Sequence, residues 1–111
     1  MKTPEQITNS LVKEFDKLND IREQSLKLSR EIIKSCSKSI RNVHRNNLDE
    51  AKQHLDEANK TYQDLRSSLK DIPELRIAGY VNDSERELIE AFLVFEFEKT
   101  SLLLEFEAMN V

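Results

Sequence analysis

The chain is poor in the residues that many folds and sites require. Its 111 residues include one glycine, two prolines, one cysteine and no tryptophan. A β-sandwich or a phosphate-binding loop needs several glycines for tight turns and close backbone approach, so both are excluded. A single cysteine can form neither an internal disulfide nor a cysteine-rich zinc site. We therefore expect a fold held by packing, in a reducing, cytoplasmic compartment.

Long apolar runs are also lacking. The sequence has no stretch of about 20 apolar residues that could cross a bilayer, and its N-terminus lacks the apolar core of a signal peptide. We expect no membrane partner. Charge is plentiful, at 34% of residues, but unevenly placed. Residues 1–45 carry 10 basic and 6 acidic side chains, net +4, whereas residues 46–111 carry 7 and 15, net −8. A mildly acidic chain thus contains a basic N-terminal segment.

The apolar spacing predicts an all-α fold. Thr3, Pro4 and Gln6 indicate a helix start with a capping box, and apolar residues then recur at steps of three, four or seven as far as residue 43. We predict helices over about 4–45, 48–70 and 82–99. Asn47, with Glu50 three positions later, predicts a second capping box. The two-residue link between the first two helices predicts a long antiparallel hairpin.

The region after this hairpin is more irregular. Pro73 predicts a short turn that runs to Gly79, which we expect to be a helix C-cap because glycine is common at that position. Residues 101–111 are expected to form at most a last short turn. Four of the five phenylalanines lie in the final 20 residues. Because Phe92, Phe95 and Phe97 cannot share one helical stripe, we expect further helices to cover this segment, from another chain or from additional sequence.

Six cations share one face of the first helix. They step by three or four residues over about 27 Å, a length suited to a run of phosphates. An alternative is a solvated face whose charge is offset by neighbouring Glu and Asp residues. No aromatic residue interrupts the row, which favours contact with a nucleic-acid backbone over base stacking. The six residues are Lys27, Arg30, Lys34, Lys38, Arg41 and Arg45.

Two carboxylates on the third helix are candidate metal ligands. Glu87 and Glu90 are three residues apart, and Asp83 lies one turn earlier, so their side chains can converge on one face. Paired carboxylates bind Mg²⁺, which can activate water for phosphodiester cleavage. The alternative is that acidic residues near a helix N-terminus are solvated and stabilised by the helix dipole. Cys36 lies on the apolar stripe and is expected in the core.

Several segments resemble the family of translin and translin-associated factor X (Trax), in particular archaeal Trax-like proteins. Residues 26–32, 37–40 and 43–45 are similar to the first long helix of that family. Residues 87–91, with Phe97 and the Lys-Thr pair at 99–100, resemble the Glu-x-x-Glu-Ala segment of Trax. Residues 73–76 and 79–83 resemble the archaeal linker region between them. The matches follow one another in the family's order and spacing, over nearly the whole chain.

The resemblance implies a translin-like helical bundle that assembles into a hollow shell around RNA. In Trax-like subunits, carboxylates cut the RNA with Mg²⁺, so the resemblance assigns Glu87 and Glu90 as catalytic and metal-binding. The cations of the first helix become candidate RNA contacts. Family members are nearly twice as long, and their C-terminal half supplies further helices and another active-site carboxylate. We therefore expect a homo-oligomer or a complementing C-terminal chain, and cleavage only with that complement.

Two other functions stay open at this point. The chain could be a helical scaffold that only oligomerises or binds a partner helix, with charges that merely solubilise it. It could also be a nucleic-acid binder without catalysis, as translin is. Salt dependence of RNA affinity separates the first from an RNA-binding subunit, because phosphate contacts release counterions.

Overall fold

The computed structural model describes residues 1–109, and within them the chain is all-α. The helices are α1 (Pro4–His44), α2 (Leu48–Ser68), α3 (Pro73–Arg76) and α4 (Gly79–Met109), with no strand in the described part. The predicted all-α hairpin with a further long helix is confirmed. No helix in residues 1–109 has the length and hydropathy needed to span a membrane.

The start of α1 is fixed by local hydrogen bonds. The hydroxyl of Thr3 accepts a bond from the Gln6 backbone N–H at 3.2 Å, and the Gln6 side-chain oxygen accepts one from the Thr3 N–H at 3.0 Å. Pro4 occupies the first turn, where its missing N–H leaves no bond unmade. The predicted capping box is therefore present.

The turn between α1 and α2 is built differently from the prediction. Asn46 adopts a left-handed backbone with φ 63°, a conformation that asparagine tolerates better than most residues. Its N–H donates to the Val43 carbonyl at 3.0 Å, and the next N–H, of Asn47, donates to the Asn42 carbonyl at 2.8 Å. These two bonds define a Schellman ending of α1. Asn47 makes no side-chain cap bond to α2, so the capping box predicted with Glu50 is not formed.

Two buried hydroxyls show how the long helices are arranged. Ser39 on α1 donates to the carbonyl of Ala51 near the start of α2, at 2.8 Å, and the chain reverses between them. Hence α2 runs antiparallel to α1. Ser29 donates to the carbonyl of Tyr80 at the start of α4, at 2.7 Å. Further along both helices, the end of α1 and residues within 93–98 of α4 line one pocket. Hence α4 runs parallel to α1 and antiparallel to α2.

The core lies where α1 packs against both partners. Fully buried side chains include Ile32 and Cys36 of α1 and Leu65 of α2, and Leu69 is 1% exposed. Small residues such as Ser29, Ser39 and Ala91 also lie buried at the helix contacts, where they allow close approach. α2 and α4 touch each other less than either touches α1, so a groove remains between them.

The bounds of α4 differ most from the prediction. The expected third helix covered 82–99, with Gly79 as a preceding cap and a short turn after residue 100. Instead, Gly79 begins the helix, which continues to Met109. The residues from Ser101 to Met109 contain no glycine or proline and include three leucines, so nothing in them stops a helix. Residues 110–111 of the predicted turn lie outside the described residues.

The long helices do not begin and end at the same levels along the bundle. Residues 4–20 of α1, named here the N-terminal overhang, precede the first half-buried residue, Ile21, and all of them are exposed. At the other end, α4 continues past the turn between α1 and α2. The molecule is consequently a rod of 82 × 19 × 17 Å, although α1 itself is only about 60 Å long.

Candidate nucleic-acid interface

The six predicted cations form one outward face of α1, named here the basic face. Five of them are exposed and Lys38 is half-buried. Helical periodicity places them opposite Ile32, Cys36 and Val43, which are buried against α2 and α4. The face follows the rod for about 27 Å. Its members are Lys27, Arg30, Lys34, Lys38, Arg41 and Arg45.

No cation of the basic face forms an ion pair within 4 Å in the described residues. Over residues 1–109, the one contact within 4 Å between a nitrogen of a basic side chain and a carboxylate oxygen joins His54 Nδ1 to Glu57 Oε2 at 3.5 Å, on α2. No carboxylate of α2 or α4 therefore pairs with a cation of this face. Arg41 donates one bond, from Nε to the Ser37 carbonyl at 3.4 Å, which orients its guanidinium along its own helix. Within residues 1–109, no carboxylate thus lies within 4 Å of a nitrogen of the six cations.

The predicted carboxylate pair lies on a different side of the molecule. Glu87 is half-buried and Glu90 is exposed, and both act electrostatically on Cys36, which is buried on the packing side of α1. The pair is therefore near the contact between α1 and α4, away from the basic face. Nowhere in residues 1–109 do three or more His, Cys, Asp or Glu side chains converge as a metal site. Glu87 and Glu90 lie three residues apart on α4, and neither a third ligand nor the six cations lie with them in the described residues.

Cys36 is held in its neutral form. Burial, and after it the negative charges of Glu87 and Glu90, raise the pKa of this thiol from 9.0 to about 11. A pKa of about 11 leaves about 100-fold less thiolate at pH 8 than a pKa of 9 does. The expectation from the sequence, a core cysteine without nucleophilic activation, agrees with this environment.

We expect Cys36 to react slowly in the folded protein. At pH 8, its reaction with a chromogenic aromatic disulfide should be at least about 100-fold slower than in the urea-unfolded chain, because both burial and the raised pKa oppose attack. Equal rates in the two states would contradict this.

The pKa of Cys36 is higher in the folded chain than in the unfolded chain, so stability from the protonated thiol is present below about pH 9. It is lost as the pH rises toward 11.

A polar contact that sequence reasoning missed joins α2 to α4. The Tyr62 hydroxyl donates to Glu85 Oε1 at 2.7 Å, and the Arg66 guanidinium lies 6.0 Å from the Tyr62 ring centre. Burial, followed by this bond to Glu85, raises the pKa of Tyr62. The two residues are 23 positions apart on different helices, so no spacing rule could have paired them. This hydrogen bond helps to set the orientation of α4 about its own axis relative to α2, two residues before Glu87.

The chain is 30% identical over 103 residues to an uncharacterized protein of Methanocaldococcus jannaschii. The match covers 92% of this chain but 45% of that protein, so the chain spans less than half of the length of its relative. No family model matches the chain. No solved structure matches it either.

Proposed function

We propose that this chain is an RNA-binding subunit of a Trax-like assembly and holds the RNA backbone along α1. The observation that supports this most directly is the basic face, with six cations in a row and no carboxylate within ion-pairing distance in residues 1–109. Unpaired surface cations gain most from a polyanion, because phosphate binding releases counterions into solution. The row lacks aromatic residues, so the contact would be to phosphates and tolerant of base sequence.

Cleavage would require more than this chain contributes. Glu87 and Glu90 offer hard oxygen donors one turn apart, and Mg²⁺ is commonly held by one or two carboxylates together with water and substrate phosphates. When bound, the ion would supply an activated water and a positive charge at the scissile phosphate. A complementing chain would supply the remaining carboxylate. Glu87 and Glu90 lie on α4, on the packing side of α1, whereas the basic face lies on its outward side. The RNA cut at one subunit would therefore be held by another.

The dependence of RNA affinity on salt tests the proposal. A fluorescein-labelled single-stranded RNA of about 20 nucleotides, followed by anisotropy, should bind with log Kd rising against log salt at a slope of about 4, from about 0.7 per phosphate contact. Between 50 and 200 mM salt, the affinity should then fall by a few hundredfold. Affinity that does not change with salt, or no binding at 50 mM salt, would contradict it.

A second candidate, a helical scaffold without RNA, is favoured by the apolar side chains left in solvent. Phe15 is 72% exposed, Phe92 is 51% exposed and Phe97 is 73% exposed, and surfaces of this kind mark interaction sites. A scaffold predicts self-association together with no RNA affinity at any salt concentration. A translin-like binder without catalysis predicts instead that Glu87→Gln and Glu90→Gln leave RNA binding unchanged.

A further inference from the structure

The chain exposes more surface than a compact protein of its mass. Its accessible surface is 8452 Å². A compact monomer of 13.0 kDa exposes about 6,300 Å². The excess of about 2,100 Å² is larger than the roughly 800 Å² that each partner buries in a standard interface. An excess of this size is typical of a subunit that buries a large contact in an oligomer.

Part of the excess belongs to the N-terminal overhang. Its apolar side chains recur at positions i, i+4, i+8 and i+11, which places them on one face of α1. They are 44% to 72% exposed. This is the spacing of an amphipathic helix that fits an apolar groove. The four residues are Ile7, Leu11, Phe15 and Leu18.

A second part belongs to the groove between α2 and α4. The groove has a volume of about 410 Å³, and every lining residue comes from α2 or α4, so it faces away from α1. Its apolar lining includes Leu55, Leu88 and Phe92. Ile89 and Phe92 on this wall remain 60% and 51% exposed. One more helix in the groove would complete a four-helix bundle.

The overhang cannot fill the groove of its own chain. It continues α1 without a break, and at 1.5 Å per residue its centre lies about 39 Å along the rod from the centre of the groove. A two-fold axis midway between them, near Ser25, reverses the second rod and places each overhang beside the other groove. Both contacts then form at once, and the dimer is closed.

Charge complementarity sets a register for this arrangement. Glu14 and Lys17 flank the apolar face of the overhang, and Lys52 and Asp56 line the α2 side of the groove. The two-fold axis makes the overhang run parallel to the partner copy's α2. Glu14 then faces Lys52, and Lys17 faces Asp56, with opposite signs in both pairs.

The same register aligns the apolar layers. Since the overhang runs antiparallel to the partner copy's α4, successive turns of the two helices meet in reverse order. Leu11 lies opposite Phe92, with one apolar layer on either side. The three facing pairs, one residue from each copy, are Ile7 with Phe95, Leu11 with Phe92, and Phe15 with Leu88.

We infer that two copies of this chain form a two-fold dimer in which the N-terminal overhang of each occupies the groove between α2 and α4 of the other. The contact uses neither the basic face nor Glu87 and Glu90. The dimer can therefore form whether or not the chain binds RNA.

Cross-linking tests the inferred pairing. In a Cys36→Ala background, chains carrying Leu11→Cys and chains carrying Phe92→Cys are mixed and oxidised. We expect a cross-linked heterodimer from this mixture. Asn9→Cys, on the opposite face of the overhang, should give none with Phe92→Cys, and it is the matched control. Equal cross-linking by Leu11→Cys and Asn9→Cys would overturn the inferred docking.

A charge swap tests the register and is independent of disulfide geometry. Light scattering should give a mass near twice 13.0 kDa for the chain without substitutions. Glu14→Lys alone and Lys52→Glu alone should each raise the dimer dissociation constant about 10-fold, and the double variant should restore it. Circular dichroism checks that each variant remains helical. An unsubstituted chain that stays monomeric at 100 µM would overturn the inference, and this is the result expected if the groove binds a helix of another protein. A double variant whose dimer dissociation constant is not restored would overturn it as well.

Discussion

Reversing two charges in the middle of the basic face should weaken RNA binding about 100-fold at 50 mM salt. The variant is Lys34→Glu with Arg41→Glu, two exposed residues about 10 Å apart along α1. Two phosphate contacts are lost, and each accounts for about 0.7 of the salt slope on a single strand. The slope of log Kd against log salt should therefore fall by about 1.4. Anisotropy titrations at several salt concentrations measure both quantities.

The control for this variant carries the same change of net charge at another place. Lys60→Glu with Lys99→Glu alters two exposed lysines on α2 and α4, away from the basic face. We expect this control to weaken binding several-fold at most, through the overall charge, and to leave the salt slope nearly unchanged. Equal losses in the two double variants would mean that α1 is not the RNA-binding surface.

Removal of the Leu65 side chain should have the largest effect on stability. Leu65 is completely buried, whereas Ile77, in the link between α3 and α4, is 77% exposed. Leu65→Ala loses buried apolar surface and leaves a cavity, so it should reduce the free energy of unfolding by about 3 kcal/mol. That is a large fraction of the 5–15 kcal/mol typical of a small domain.

Urea unfolding followed by circular dichroism measures this loss. Ile77→Ala is the matched control, for which we expect a change within about 0.5 kcal/mol. Protein concentration must be equal in all samples, because association stabilises the folded state by mass action. Similar midpoints for Leu65→Ala and Ile77→Ala would contradict the packing of α2 against α1 described above.

Much of the hairpin could be predicted from the sequence because the signals are local. The Thr3 capping box, the uninterrupted apolar stripe of α1 and the Asn46-Asn47 break each act within a few residues. The start of α4 could not be predicted from the sequence, because a glycine most often follows the end of a helix. In the structure Gly79 begins a helix instead, with nothing within 4 Å of the position where a Cβ would lie.

The candidate site was only half predictable for a related reason. A row of cations on one helix follows from periodicity alone, so the six residues of the basic face could be identified in advance. Whether carboxylates of other helices reach them depends on how α2 and α4 pack. The same holds for the separation of Glu87 and Glu90 from the basic face, and for the bond between Tyr62 and Glu85. Spacing within one helix carries no information on such contacts.

The N-terminal overhang is also a place where unfolding of the free chain can begin. Its 17 residues extend a helix that the bundle has already nucleated, so each needs only the small free energy of helix propagation. Tertiary packing adds little to that small free energy, since residues 4–20 are all exposed. The helix–coil boundary can therefore move along the overhang while the bundle stays folded. The hydrogen bonds between Thr3 and Gln6 oppose this fraying at the far end, and a docked partner would oppose it along the whole segment.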